Sequence, residues 1–166
     1  VYLSFATRIL MDGGYGSVGA AATVSIASWV FLFSGILCGQ LVDRFGRSDE
    51  ILYVCLTVGA CALLLLPLTD LAVVLCLIFG LIGIAPAGVI MALTVQAMSP
   101  QNRAFGMGLF FVGYFLLQAP APGIAGWLFD ISGDPYWPIL FAAVLFVFAG
   151  LCNVGFRATQ KRWGAA

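Results

Sequence analysis

A short charged turn carries the residue types with the clearest chemistry in this chain. Its order is Gly39-x-x-x-Asp43-Arg44-x-Gly46-Arg47, and long apolar runs lie on both sides of it. A carboxylate beside two guanidinium groups forms ion pairs and charge-assisted hydrogen bonds, and glycines allow close approach and tight turns. We expect Asp43 to contact Arg44, Arg47 or the positive N-terminus of a neighbouring helix. A hairpin that is merely rich in charge is the alternative.

Groups suited to catalysis or metal binding are scarce elsewhere in the sequence. Histidine is absent, and the five cysteines lie inside apolar runs without a Cys-x-x-Cys pair: Cys38, Cys55, Cys61, Cys76 and Cys152. A membrane-embedded enzyme needs clustered acids, bases or nucleophiles at depth. We therefore predict that the chain is not an enzyme and has no cofactor and no metal site.

The elements that position the charged turn are membrane helices. Hydrophobic residues make up 63% of the chain and charged residues 8%, against about a quarter charged in soluble domains. Five apolar runs are long enough to cross a bilayer, at roughly residues 20–42, 51–67, 71–98, 104–128 and 139–156. They lack the alternation of a barrel, so the predicted fold is an all-α, multi-pass membrane bundle. The first residues, up to about Thr7, look like the end of a sixth helix.

The distribution of cations predicts the orientation of the bundle. Six of the seven Lys and Arg residues lie on the side of the charged turn, and only Arg8 lies on the other side, together with Asp12, Asp70, Asp130 and Asp134. Cationic loops stay in the cytoplasm. We therefore place the charged turn and the tail at 157–166 in the cytoplasm, in a cell or inner membrane. With a net charge of zero and no basic block, no nucleic-acid partner is expected.

The polar and small residues of the spans predict which helices line an interior. The first, third and fourth spans carry most of them, whereas the second and fifth are nearly uniformly apolar and are expected to face lipid. Candidate residues of a substrate path are Arg8, Trp29, Tyr114 and Gln118, with a surface ion pair to Asp12 as the alternative for Arg8 and helix packing for the others. Candidate helix breaks are Pro86, Pro120, Pro122 and Gly123, either simple bends or irregular helix beside a substrate or gate. No charged residue lies near the middle of a span, so the chain offers no proton relay.

The charged turn resembles the signature loop between two helices of the major facilitator superfamily. Pro100-x-x-Arg103-Ala-x-Gly106, the proline and glycine cluster at the end of the fourth span, and Asp130-x-x-Gly133 are also similar to that family. The resemblance implies one six-helix half of a transporter in which two halves rock around a central cavity. It also implies that Asp43, Arg44 and Arg47 belong to a cytoplasmic gate latch and that Gly39 and Gly46 provide its close packing.

From this resemblance we expect secondary active or facilitative transport of a small solute by alternating access. The expected partners are the lipid bilayer, the solute and a second half of the same transporter, which would precede this chain if the chain is the C-terminal half. We expect the C-terminal half, which the short basic tail after Phe156 favours. An N-terminal half is the alternative, because the Gly113 to Gly126 stretch is similar to a motif of that half. A membrane receptor or assembly subunit that does not transport is the alternative function.

Overall fold

The computed structural model describes residues 1–69, 71–96 and 98–163, with only the backbone described at Gln96, Arg162 and Trp163. Asp70, predicted on the outer side, and tail residues 164–166 lie outside the described residues. The elements are α1 (Tyr2–Asp12), α2 (Ser17–Phe45), α3 (Ser48–Leu65), α4 (Ala72–Ile78), a π-helical segment (Phe79–Gly83), α5 (Ala87–Gln96), α6 (Arg103–Gln118), α7 (Pro120–Ser132) and α8 (Tyr136–Trp163).

Five helical stretches in the described chain are long and apolar enough to cross a membrane. They are Ser17–Phe45, Ser48–Leu65, Ala72–Val95, Arg103–Ser132 and Tyr136–Lys161. The two composite stretches each join shorter helices, α4 to α5 through the π segment and α6 to α7. The predicted all-α, multi-pass bundle is therefore confirmed.

Helix α2 is longer than the apolar run that predicts it. Its cap is Gly46, which has a φ of 64° and donates its N–H to the Val42 carbonyl oxygen at 2.8 Å. Glycine adopts this left-handed conformation without steric cost and commonly ends helices in this way. Asp43 and Arg44 consequently lie in the last helical turn rather than in a loop. The apolar run reflects the thickness of the hydrocarbon, whereas the glycine decides where the helix stops.

The third span is interrupted halfway along its length. After the π segment, α5 starts at Ala87, whose N–H donates to the Ile84 carbonyl oxygen at 3.3 Å. Between them lies Pro86, which has no N–H and whose ring would clash with the carbonyl four residues earlier in a regular helix. The wider π turn and the break at 84–86 avoid that clash.

The π segment is the centre of the bundle because two other helices touch its backbone. A methyl group on Gly80 would overlap the carbonyl oxygen of Ala27 in α2. A methyl group on Gly59 of α3 would lie 2.9 Å from the Cα of Gly83. Glycines at these crossings let the helix axes approach closely, as small residues do in membrane bundles. Cores of buried residues lie around both crossings.

The burial of each span in the structure does not follow its content of polar and small residues. Helix α3 contacts α2, the π segment, α4, α5 and α8, and its contact with α8 is the most extensive in the described chain. The small residues Gly59, Ala60 and Ala62 of α3 form a buried face toward these neighbours, so only the other faces of α3 are open to the lipid that the sequence predicts for it. By contrast, α6 has no buried residue and packs mainly against its neighbours in sequence, α5 and α7.

Candidate functional site

Two charged side chains at the end of α2 are exposed. In the described ranges, neither Asp43 nor Arg44 forms an ion pair or a side-chain hydrogen bond. The contacts expected for Asp43 are therefore not made within this chain. Adjacent residues on a helix do not face each other, and Arg47 interacts with another carboxylate. The chemistry of this helix end is thus available to a group outside the described chain.

Gly39 is one turn further into α2 and is equally open. A methyl group on Gly39 would meet no atom within 4 Å. The close approach predicted at this glycine is therefore not used by the described helices. Gly39 and Asp43 are four residues apart, which places them one above the other on a single face of the helix.

The second half of the charged turn is tied to the start of α3. Arg47 Nη1 donates to Glu50 Oε2 at 3.2 Å, with the two side chains 70% and 67% exposed. An exposed pair of this kind contributes about 0–1 kcal/mol. Asp49 and Glu50 are both in the first turn of α3, where a carboxylate is stabilised by the positive end of the helix dipole.

A polar network joins the start of α3 to the end of α8. Arg157 Nε lies 2.9 Å from Asp49 Oδ2 and donates to Asp49 Oδ1 at 3.0 Å. Asn153 Nδ2 donates to the same Oδ1 at 3.3 Å and to Tyr53 Oη at 3.1 Å. Gln160 Oε1 accepts from Arg157 Nη1 at 2.7 Å. We name Asp49, Tyr53, Asn153 and Arg157 the α3–α8 clasp.

An open groove of about 560 Å³ lies beside the clasp. Its walls include Arg47, Glu50, Tyr53, Arg157 and Lys161. The clasp residues are the functional candidates that the sequence did not reveal. The sequence does contain one indication of the clasp. Asn153 is a single amide inside an otherwise apolar span, and a polar side chain in lipid requires a partner.

Arg8 lies at the opposite end of the bundle and is not paired with Asp12. The expected ion pair to Asp12 is absent from the described residues. Its guanidinium carbon instead lies 4.4 Å from the ring centroid of Phe129 in α7, and the Phe5 ring lies 5.6 Å from the same ring. A cation over an aromatic face is stabilised by about 0.5–2 kcal/mol, depending on desolvation. Arg8 thus bridges α1 and α7.

A groove of about 620 Å³ opens at the same end, among the connections between helices. Its lining includes Asp12, Tyr15, Thr69, Asp134 and Tyr136. Asp134 is already used locally, because its Oδ1 accepts the backbone N–H of Tyr136 at 2.9 Å.

The other predicted path residues are not brought together in the described chain. Trp29 is 66% exposed on α2, and Tyr114 is 45% exposed on α6. The Tyr114 ring lies near two aromatic rings on its own helix, with centroids at 5.3 Å from Phe115 and 6.4 Å from Phe110. Gln118 ends α6 and is also exposed. These residues share exposure on helices that flank the bundle, and they do not form a closed pocket.

The prolines differ in their effect on the backbone. Pro86 follows the π segment and is buried at a true interruption. Pro120 begins α7, yet Ala119 before it has helical angles of φ −59° and ψ −43°, so the direction of the chain is maintained there. Pro122 and Gly123 lie within the first turn of α7, where a missing N–H leaves no intrahelical bond unmade.

Within the described ranges, no group of three His, Cys, Asp or Glu residues is arranged to hold a metal ion. Among the described residues, the geometry provides an acid and a base without ion-pair partners, Asp43 and Arg44, at the end of one long apolar helix. Such groups are suited to making and breaking contacts with a second protein body rather than to bond chemistry.

Comparison with known proteins gives one match, to a family. The sequence model of the Major Facilitator Superfamily matches residues 3–164, nearly the entire chain. No match is found among curated proteins or among solved structures.

Proposed function

The chain belongs to the Major Facilitator Superfamily, a family of membrane transporters for small solutes, and from this premise we propose that it forms one half of an alternating-access transporter. The second half would be another six-helix bundle of the same protein. In this proposal the solute crosses between the two halves, which rock to open the cavity to one side at a time. Transport is secondary active or facilitative.

One observation carries the proposal: the end of α2 displays Gly39, Asp43 and Arg44 on an open surface with no partner in the described chain. These are the residues that the family resemblance assigns to the gate latch. A carboxylate at the negative end of a helix dipole is unfavourable alone and becomes favourable when a second half supplies a donor. In the proposed orientation this latch and the C-terminus of the chain are cytoplasmic.

The exposure of α6 and the first part of α7 supports the same division into halves. In the stretch Arg103–Ser132 none of the apolar window is buried, although it carries Tyr114 and Gln118. We propose that these two residues, with Trp29 on α2 and Arg8 at the outer mouth, lie along the substrate path. Because charged residues are absent from mid-span positions, the path is suited to a polar or amphipathic solute held by aromatic and amide groups.

Flux measurements in proteoliposomes test the proposal. The full-length protein is reconstituted, and uptake is measured for a panel of labelled sugars, amino acids, organic acids and amphipathic amines. Saturable uptake of one class, abolished by its unlabelled competitor, supports transport. Saturable binding of a solute without any flux would instead identify a receptor or assembly subunit and reject the proposal.

A further inference from the structure

The charged turn is anchored on one side and open on the other. Its α2 side ends in Asp43 and Arg44, which have no partners in the described chain. Its α3 side leads within two residues to Asp49, which Arg157 of α8 holds. A contact that fixes the start of α3 therefore also fixes the position of Asp43 and Arg44 relative to any second protein body.

The clasp is better shielded from water than the neighbouring ion pair. The Arg157 and Asp49 side chains are 28% and 36% exposed, against 70% and 67% for Arg47 and Glu50. Partial desolvation strengthens the attraction between charges, and hydrogen bonds to Tyr53 and Asn153 satisfy groups that would otherwise lose water. The two pairs differ in a second way, because Arg47–Glu50 stays within one helix end whereas Asp49–Arg157 joins two helices.

The rest of the α3–α8 contact is apolar, and the Phe146 ring of α8 packs closely against Gly59 of α3. Leu52 and Leu56 are buried on α3, and Leu56 Cδ1 lies 3.8 Å from a methyl group built on Gly150 of α8. Aliphatic contacts are less directional than ion pairs, and a polar group in an apolar seam can add specificity for one register. The clasp is placed at the end of the seam next to the charged turn, where such a restraint acts on the turn.

We propose that Asp49 and Arg157 are positioning residues, which lock α3 to α8 so that the charged turn and the C-terminal end of α8 move as one rigid unit. The role in transport rests on the proposed function, whereas the locking of the two helices does not. Asn153 and Tyr53 hold the carboxylate and the amide in place. Removal of the clasp loosens the turn without touching the substrate path.

A distance measurement tests the lock directly. Nitroxide labels are placed at Ser48→Cys and Thr159→Cys in the full-length protein with Cys61 and Cys152 replaced by alanine. The distance distribution is obtained from dipolar broadening of the continuous-wave electron paramagnetic resonance spectrum, which is suited to labels this close together. We expect one narrow distribution in this background and a broad one after Asp49→Asn or Arg157→Gln. The matched control is Glu50→Gln, which removes a neighbouring carboxylate that does not reach α8 and is expected to keep the distribution narrow. An unchanged distribution in Asp49→Asn overturns the proposal even if the protein transports.

Transport kinetics test the consequence of the lock. For Asp49→Asn and Arg157→Gln we expect maximal uptake velocity per folded molecule to fall about tenfold, with KM changed by less than about twofold because no substrate contact is lost. The double variant Asp49→Asn/Arg157→Gln is expected to be no slower than either single variant. Asp49→Glu keeps the charge and is expected to recover most of the velocity. If a neutral variant fails to fold, the uptake velocity of Asp49→Glu is measured in its place.

The two tests separate the possible failures. Broad distances with normal velocity would show that the clasp is only structural, and additive losses in the double variant would show that the two residues act separately; either result overturns the positioning role. If the unmodified protein shows no flux for any solute, the proposed function fails, while the distance measurement still decides whether the clasp locks the helices.

Discussion

At the scale of single residues, the charged turn contains one residue that is paired within the chain and two that are not paired among the described residues. Arg47 is used within the chain, in a pair with Glu50 at 3.2 Å. Asp43 and Arg44 remain exposed and unpaired among the described residues. A residue left without a partner at an unfavourable end of a helix is the kind that a second protein body completes.

Asp43→Asn is expected to lower transport by about tenfold or more, because it removes a charge-assisted hydrogen bond to the second half that contributes roughly 1.5–3 kcal/mol. The variant is expected to fold normally, since Asp43 is exposed and forms no ion pair or side-chain hydrogen bond within the described chain. Initial uptake rate and melting temperature are measured together. The control is Lys161→Gln, an exposed charge on the same side, which is expected to retain transport. Unchanged transport in Asp43→Asn would remove the latch role.

At the scale of elements, the bundle depends on close crossings at the π segment. Gly80 faces the Ala27 carbonyl oxygen in α2, and Gly83 faces Gly59 in α3. No side chain larger than hydrogen fits between these backbones. The helix interruption before Pro86 and the two close crossings therefore belong together, because the widened π segment packs between α2 and α3.

Gly80→Ala is expected to destabilise the protein by about 1–3 kcal/mol, because the added methyl group forces the α2 backbone away from the π segment. The matched control is Gly88→Ala in α5, where a methyl group meets no atom within 4 Å and helix propensity predicts a gain of up to about 1 kcal/mol. Thermal or denaturant unfolding of the purified protein in detergent gives both values. Equal stabilities for the two variants would contradict this crossing.

Helix α6 provides an element-scale test of the substrate path. Gln118 lies near the middle of the stretch Arg103–Ser132. Leu116 is 70% exposed at almost the same depth and, two residues away, on a nearly opposite helix face. Exposure in the isolated chain does not separate water from lipid. The proposed function places Gln118 in a water-filled cavity, because a polar side chain in lipid requires a partner.

With Cys61 and Cys152 replaced by alanine, we expect Gln118→Cys to react with a membrane-impermeant maleimide several-fold faster than Leu116→Cys, because thiols react as thiolates and these form in water. Saturating solute is expected to slow the reaction at position 118. Equal rates at the two positions, with or without solute, would exclude Gln118 from the path.

At the scale of the whole molecule, the charges determine orientation and the helices determine which loops share a side. The charged turn and the connection between α5 and α6 carry Arg44, Arg47 and Arg103, whereas the opposite end carries Arg8 alone among the cations. Cationic loops are retained in the cytoplasm. Five crossings of alternating direction then place every connection on one side or the other.

Ser48→Cys at the start of α3 and Thr69→Cys in the connection after α3 test this topology. In intact cells with the exposed native cysteines replaced, an impermeant thiol reagent is expected to label position 69 and to leave position 48 unlabelled until the membrane is permeabilised. The physical reason is the cost of moving cationic loops across the bilayer during insertion. Labelling of position 48 from outside would reverse the orientation and place the latch on the wrong side.

Sequence alone determined the environment and class of this protein, because these depend on sums over many residues. Length and hydropathy of the apolar runs predicted five crossing helices, now confirmed, and the turn from Gly39 to Arg47 predicted the family, confirmed by the match over residues 3–164. The exact ends of helices did not follow from hydropathy, since Gly46 rather than the apolar run stops α2.

Only the tertiary structure decided which residues meet. Arg157 and Asp49 are 108 positions apart in sequence, and neither periodicity nor composition encodes a contact between helices that are not consecutive. The same holds for Gly80 against Ala27, for the buried face of α3 and for the cation–π contact of Arg8 that replaces the expected pair with Asp12. Local sequence sets the preference of each segment for lipid, water and helix, whereas partner choice depends on packing summed over the entire bundle.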